Sequence, residues 1–210
     1  MVKNILIDSL DLEGGVLCLD FANTVSDRRL TPVQDYFTDI YAFLYWAANK
    51  AGIVTEREAM LLEKTIKENP AKAIGFFKEA IDLRELIYAM FYRVSRNEDI
   101  TAGQLNEFNA ILKKYIPYTK LQKKGSGFEE VCALEEDDLY ILTVPIIKSA
   151  HELLLSGKLE KIKQCGSDNC GWLFLDTSKN GKRHWCSMKT CGSKDKAIKY
   201  YYRKKEAREQ

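Results

Sequence analysis

Cys165, Cys170, Cys186 and Cys191 are four of the six cysteines in this 210-residue chain, and they form two C-x4-C pairs with fifteen residues between them. Two pairs flanking a short loop suit a tetrahedral metal ion, because each pair turns as a knuckle and offers two thiolates to one side of it. All-sulfur ligation points to zinc rather than to the oxygen-preferring cations. Four thiolates leave no open coordination position and cannot activate water. The expected chemistry is therefore structural: one Zn2+ whose binding contributes roughly 10 kcal/mol or more of apparent folding free energy. Two disulfides would need an oxidising compartment, and paired knuckles favour a single tetrahedral ion over an iron–sulfur cluster. His184 lies only two residues from Cys186, an awkward spacing for joint ligation.

The residues between and after the cysteines suggest a gripping surface. Residues 172–176 (WLFLD) are apolar enough for a strand, Asn180-Gly181 closes a turn, and residues 183–185 are placed to return as the partner strand. From Ser193 the sequence SKDKAIKYYYRKKEAREQ reads as a helix to the C-terminus. On it Lys196, Lys199 and Arg203 share an arc of about 60°, while Ile198, Tyr201 and Tyr202 turn away and are expected to pack on the finger. With Lys179, Lys182, Arg183, Lys189 and Lys194 they form a candidate nucleic-acid surface, each cation able to displace counterions from a phosphate. From Lys158 onward there are 14 Lys or Arg against 6 Asp or Glu, whereas the preceding residues carry 18 against 24. Part of that surplus balances the net negative charge of a zinc tetrathiolate. Two readings therefore remain open: a DNA-binding face, or a solvated face that docks on protein.

The elements that must position this module are mainly helical. Thr55-Glu-Arg-Glu58 and Thr101-Ala-Gly-Gln104 have the form of capping boxes, the first opening a helix to about residue 68 and the second a helix ending before Pro117. Asn69-Pro70 starts a long helix over residues 71–96, in which Ile74, Phe77, Ile81, Leu86 and Met90 mark the expected buried stripe. An aromatic-rich helix is predicted over residues 34–50, ended by Gly52, and another over residues 144–155, punctuated by Gly157. Residues 119–123 and 128–134 flank Gly125-Ser126-Gly127 as a hairpin. The predicted fold is thus mainly α with a small β hairpin (α+β), a helical body over residues 1–157 and a treble-clef-like zinc finger over residues 158–210.

A hydrophobic content of 46% with 30% charged residues suits a globular chain able to bury a core. The N-terminal MVKNILIDSLDLEGG lacks the apolar run of a secretory signal, and residues 40–48 are far short of a bilayer span, so a cytoplasmic location without membrane contact is expected. No P-loop, dinucleotide or metalloprotease signature is present, which argues against an enzyme. Cys18 and Cys132, in LCLDF and VCAL, read as core residues, and His151 as a residue of helix 144–155. Asp20, Asn23 and Thr24 form one polar cluster in an apolar segment, with Arg28 or Arg29 close by. They read either as a buried hydrogen-bond network or as a candidate pocket for a small effector.

The stretch CGWLFLDTSKNGKRHWCSMKTCGSK resembles the CGNR-type zinc finger, and LCLDFANTV (residues 17–25) resembles the start of the ABATE domain that precedes that finger in bacterial stress-responsive transcription regulators. The resemblance implies zinc on Cys165, Cys170, Cys186 and Cys191 and DNA binding by the finger, with a homodimer as a further candidate assembly. The tetrapeptide that names the finger here reads Cys191-Gly-Ser-Lys194. Ser193 keeps the ability to cap a following helix. Lys194 keeps the charge but lacks the bidentate fork of arginine, which implies a phosphate contact rather than a base contact.

Overall fold

The computed structural model describes residues 3–209, apart from the side chains of residues 116, 199, 202, 203 and 205–209. A single turn, α1 (Ile5–Asp8), capped by Asn4, leads to α2 (Leu17–Ala22), a short helix buried along most of its circumference. The next helix, α3 (Ile40–Asn49), starts six residues later than its aromatic content suggested, because the Asp39 carboxylate accepts the Ala42 amide at 2.8 Å and caps it there. Upstream, the Asp35 carboxylate accepts the Phe37 amide at 2.9 Å and the Tyr36 amide donates to the Thr24 carbonyl. Those bonds compete with helix and keep residues 34–39 out of it.

Both capping boxes form as spelled. Thr55 and Glu58 close the start of α4 (Glu56–Glu68), and after it Pro70 occupies the first turn of the 26-residue α5 (Pro70–Ser95), although the Asn69 side chain makes no cap bond. Thr101 and Gln104 exchange side-chain bonds at the start of α6 (Ala102–Tyr115). The hairpin of β1 (Thr119–Lys124) and β2 (Gly127–Cys132) is antiparallel, with Lys124 opposite Gly127 and Gly125 at φ +58°. Then come α7 (Val144–Leu155), β3 (Ile162–Gln164), β4 (Leu173–Leu175) and α8 (Ser193–Glu209).

The long α5 is the spine of the body. Its buried face runs through Ala73, Phe76, Ala80, Leu83, Ile87 and Met90, whereas Ile74, expected in that stripe, is 71% exposed. Phe21, Phe37, Phe43 and Trp46 fill the adjoining core with ring centroids 5.1–6.2 Å apart. Arg84, only 2% exposed, is tolerated there because its guanidinium is paired. It reaches the Asp35 carboxylate at 2.5 and 2.8 Å, Glu85 at 3.0 Å and the Thr24 hydroxyl at 3.3 Å.

Strand β4 pairs antiparallel with β3, Leu173 opposite Gln164, and not with residues 183–185 as the sequence suggested. Those residues pass the first knuckle instead, where the Gly166 amide donates to the His184 carbonyl at 2.9 Å. The other edge of β4 is taken by the body. Asn23 donates its amide to the Leu173 carbonyl at 2.8 Å and accepts the Leu173 amide at 2.9 Å, so one side chain substitutes for a neighbouring strand. The Leu175 amide donates to the Gly14 carbonyl at 2.9 Å. A Cβ on Gly14 would come 2.7 Å from the Asp20 backbone nitrogen, so this close approach needs glycine. The Trp172 indole N–H donates to the Val25 carbonyl at 2.9 Å and the Tyr88 hydroxyl to the Gly171 carbonyl at 3.1 Å. Ile162, Leu173 and Leu175 join the buried core of the body, while Phe174 turns to the cysteines. Alternation along one short strand thus ties the two regions together.

Asn23→Ala should leave both backbone groups of Leu173 buried without partners, at a cost of about 3 kcal/mol. Chemical denaturation is expected to show a lower midpoint with an unchanged slope; an unaltered midpoint would show that the clasp does not hold β4.

Candidate metal centre and its basic surround

Cys165 follows β3 and its amide donates to the Trp172 carbonyl at 2.8 Å, while the Cys170 amide closes the knuckle on the Ser167 carbonyl at 3.2 Å. Cys186 sits in the loop before α8, and Cys191 in a π-helical turn, residues 188–192, that runs into it. All four sulfurs lie within 4.8 Å of one another; Cys170 and Cys186 are 3.7 Å apart, and Cys186 and Cys191 3.6 Å. A zinc tetrathiolate with bonds of ~2.3 Å has sulfur–sulfur edges of roughly 3.8 Å, so the observed spacings fit that ion. The Cys186 amide also points at the Cys165 sulfur at 3.4 Å, the outer-shell bond that a coordinated thiolate accepts. Hydrogen bonds from the Cys170 and Cys186 side chains favour ionisation of Cys165, and the contact with Cys165 in turn pushes the Cys170 and Cys186 thiols upward. Ionising all four sulfurs in so small a volume requires a cation among them.

The surround is built from both ends of the chain. Arg183 lies 4.5 Å over the Phe174 ring, donates to the Trp185 and Cys186 carbonyls, and meets Glu13 at 3.2 Å. Arg29, held by the buried Asp27 carboxylate at 2.6 Å, donates to the Asp168 carbonyl at 3.3 Å on the first knuckle. His184 packs edge-on against Trp185 and fills the space that a Cβ on Gly166 would take; it is not one of the four clustered ligands.

Residues 15–157 match the family model ABATE, described as "Putative stress-induced transcription regulator", over well more than half of the chain. The chain belongs to the ABATE family. Residues 161–204 match the CGNR zinc finger. No curated protein matches the chain. The expected pairing of an N-terminal ABATE domain with a C-terminal CGNR finger is therefore present, and the four cysteines of the finger are placed for one structural zinc. No helix among the described residues is long and apolar enough to cross a membrane.

The basic residues expected on the CGNR finger divide. Lys179, Lys182, Lys189, Lys194 and Lys196 are exposed on the loop, the π turn and the first turn of α8. Arg183 is half-buried, and its guanidinium contacts Phe174, Glu13 and the Trp185 and Cys186 carbonyls. The side chains of Lys199, Tyr202 and Arg203 lie outside the described residues. Ile198 and Tyr201, expected to pack on the finger, are 43% and 65% exposed, because Phe174, Trp172 and Trp185 already fill its interior. Ser193 does not cap α8: the π turn carries helix in from Met188, and the Ser193 hydroxyl donates back to the Met188 carbonyl at 3.0 Å.

The polar cluster of the ABATE body is bonded to its neighbours. Asp20 accepts the Gly14 amide at 2.7 Å, and Asn23 clasps Leu173. The Thr24 hydroxyl donates to the Phe21 carbonyl at 2.8 Å and accepts from Arg84. Arg28 stacks on Tyr88 at 3.7 Å and forks onto Glu85 at 2.7 and 3.0 Å. All four make hydrogen bonds to protein groups near the joint. Glu13 and Tyr88 were not foreseen at the joint, since contacts across such sequence separations leave no local signal. Cys18 is buried, and burial pushes its thiol up to about 12, as suits a core residue. Cys132 packs against the core, and His151 is half-buried on α7.

Two outcomes follow from this geometry. Native mass spectrometry should find one zinc per chain, and Cys186→Ser or chelation should unfold the finger and lower the denaturation midpoint of the body, because β4 is shared. Burial also raises the Asp20 carboxyl from 3.8 to about 6, so between those values the folded chain holds a proton that the unfolded chain has released. Relative to Asp20→Asn, the wild type should lose up to about 3 kcal/mol of stability as pH rises through that window, read by urea denaturation. A constant difference between the two proteins across the window would refute the buried acid.

Proposed function

We propose that the protein is a DNA-binding transcription regulator in which a zinc-stapled finger over residues 158–210 grips phosphates and a body over residues 1–157 senses a small effector. The observation that carries this reading is the exposed group Lys179, Lys182, Lys189, Lys194 and Lys196, on one loop and the adjoining start of α8. Lys199 and Arg203 extend the same basic sequence along the helix. The zinc has no part in catalysis, since its four protein ligands exclude water, and the protein acts in the cytoplasm as a regulator and not as an enzyme. Lysines without a bidentate fork suit phosphate contacts, so affinity exceeds base discrimination in this surface.

A second reading rests on Ile198, Tyr200 and Tyr201, which are 43%, 62% and 65% exposed on α8. Exposed apolar and aromatic side chains of this kind suit a protein partner, a second copy of the chain included, and the finger would then be a zinc-stabilised interaction module.

Salt separates the two. Fluorescence anisotropy with the zinc-loaded protein and a labelled duplex should give affinity that falls steeply between about 50 and 200 mM salt. Replacing Lys179, Lys182, Lys189, Lys194 and Lys196 by Ala should weaken binding at least tenfold and flatten the slope by about 0.9 for each phosphate no longer neutralised. Absence of duplex binding at low salt would leave only the interaction module.

A further inference from the structure

The body contains a cavity of about 550 Å³ between α5, α6, α7 and the 3-10 turn Leu139–Leu142, and none of its walls belongs to the finger. Its volume falls in the range of small-molecule sites. The floor is aliphatic, with Leu83, Val144 and Ile147 all buried. Aromatic rings stand around it in fixed orientations. Tyr140 stacks on Tyr118 with centroids 6.3 Å apart and meets the edge of Phe76 at 5.3 Å. The Tyr140 hydroxyl donates to Glu79 at 2.7 Å, which fixes the ring. The remaining charged lining is Asp82, Glu107 and Lys114, so three carboxylates face one ammonium.

These features select a ligand by chemistry. An anion meets the carboxylates and the negative faces of the tyrosine rings. A small polar molecule gains nothing from the aliphatic floor. An apolar cation gains on both counts, by burying surface at ~25 cal/mol per Å² and by resting its charge over aromatic faces beside carboxylates. We propose that this cavity binds a hydrophobic organic monocation, its apolar part on Leu83, Val144 and Ile147 and its charge between the tyrosine rings and the Glu79, Asp82 and Glu107 rim.

The position of the cavity also links it to the finger. Phe76, Glu79 and Leu83 line it from α5, and the following residues of the same helix hold the joint: Arg84 on Asp35, Glu85 on Arg28, Tyr88 on the Gly171 carbonyl. An occupant that shifts α5 moves the residues that seat β4. Use of the site as a regulatory input rests on the DNA-binding reading above; occupancy of the site does not.

Tetraphenylphosphonium and tetraphenylborate, a cation and an anion of matched shape, provide the test by isothermal titration into the zinc-loaded full-length protein. One phosphonium should bind per chain, with the borate at least tenfold weaker. The triple variant Glu79→Gln, Asp82→Asn, Glu107→Gln should bind phosphonium at least tenfold more weakly while keeping its circular dichroism and zinc content. Ala110→Phe, on the exposed rim of α6, should block both probes and serves independently of the charge variant. Equal affinity for the two probes, or full phosphonium affinity in either variant, would overturn the site. Bound phosphonium without any change in duplex affinity would support the site and remove its regulatory role. Absence of duplex binding in the unliganded protein would remove the DNA reading while the titration still decides the cavity.

Discussion

Leu173, Phe174 and Leu175 make a strand too short to stand alone, and its free edge would strand backbone donors and acceptors in a buried place. The Asn23 side chain and the Gly14 carbonyl supply what a third strand would. Most of the architecture follows from that requirement. The N-terminal segment must bend tightly at Gly14, α2 must present Asn23 at its C-terminal end, and Val25 must remain extended to receive the Trp172 indole. Because Leu173 and Leu175 face the body and Phe174 faces the cysteines, the same three residues serve two cores at once.

Charge is arranged around the same seam. The sulfur cluster concentrates negative charge, and the groups nearest to it are fixed cations: Arg183 over Phe174, and Arg29 on the first knuckle. Behind them Lys163 bonds Asp176 at 2.6 Å; burial opposes ionisation of that acid, but the ammonium, the Ser178 hydroxyl and two backbone amides hold it well below the usual carboxylate range. The lysines farther out, from Lys179 to Lys196, are exposed and carry the excess positive charge into solvent. An acidic body and a basic finger thus meet through arginines and part at the surface.

What was legible in the sequence was local. Thr55 with Glu58 and Thr101 with Gln104 form their boxes because both partners lie within one helical turn, and Gly125-Ser126 turns because glycine accepts the positive φ that the hairpin needs. The cysteine spacing carried the metal site for the same reason. Local preference failed where distant residues outweighed it. Residues 34–39 stay out of helix because Asp35 serves Arg84 and the Phe37 amide; Ile74 is exposed because α5 is rotated to bury Ala73 and Phe76; β4 pairs with β3 on one edge while Asn23 and Gly14 hold the other, leaving none for residues 183–185. Asn23 was visible as an unusual polar residue, but its partner lies 150 residues away, so its purpose was not.

That separation also sets an order of events during synthesis. Asn23, Gly14 and Val25 are synthesised long before Leu173, Leu175 and Trp172, so these bonds cannot form until residues 172–175 exist. Cys191, the last of the four clustered cysteines in sequence, emerges later still. The clasp can therefore close only once residues 172–175 are present, and the sulfur cluster only once Cys191 has joined it.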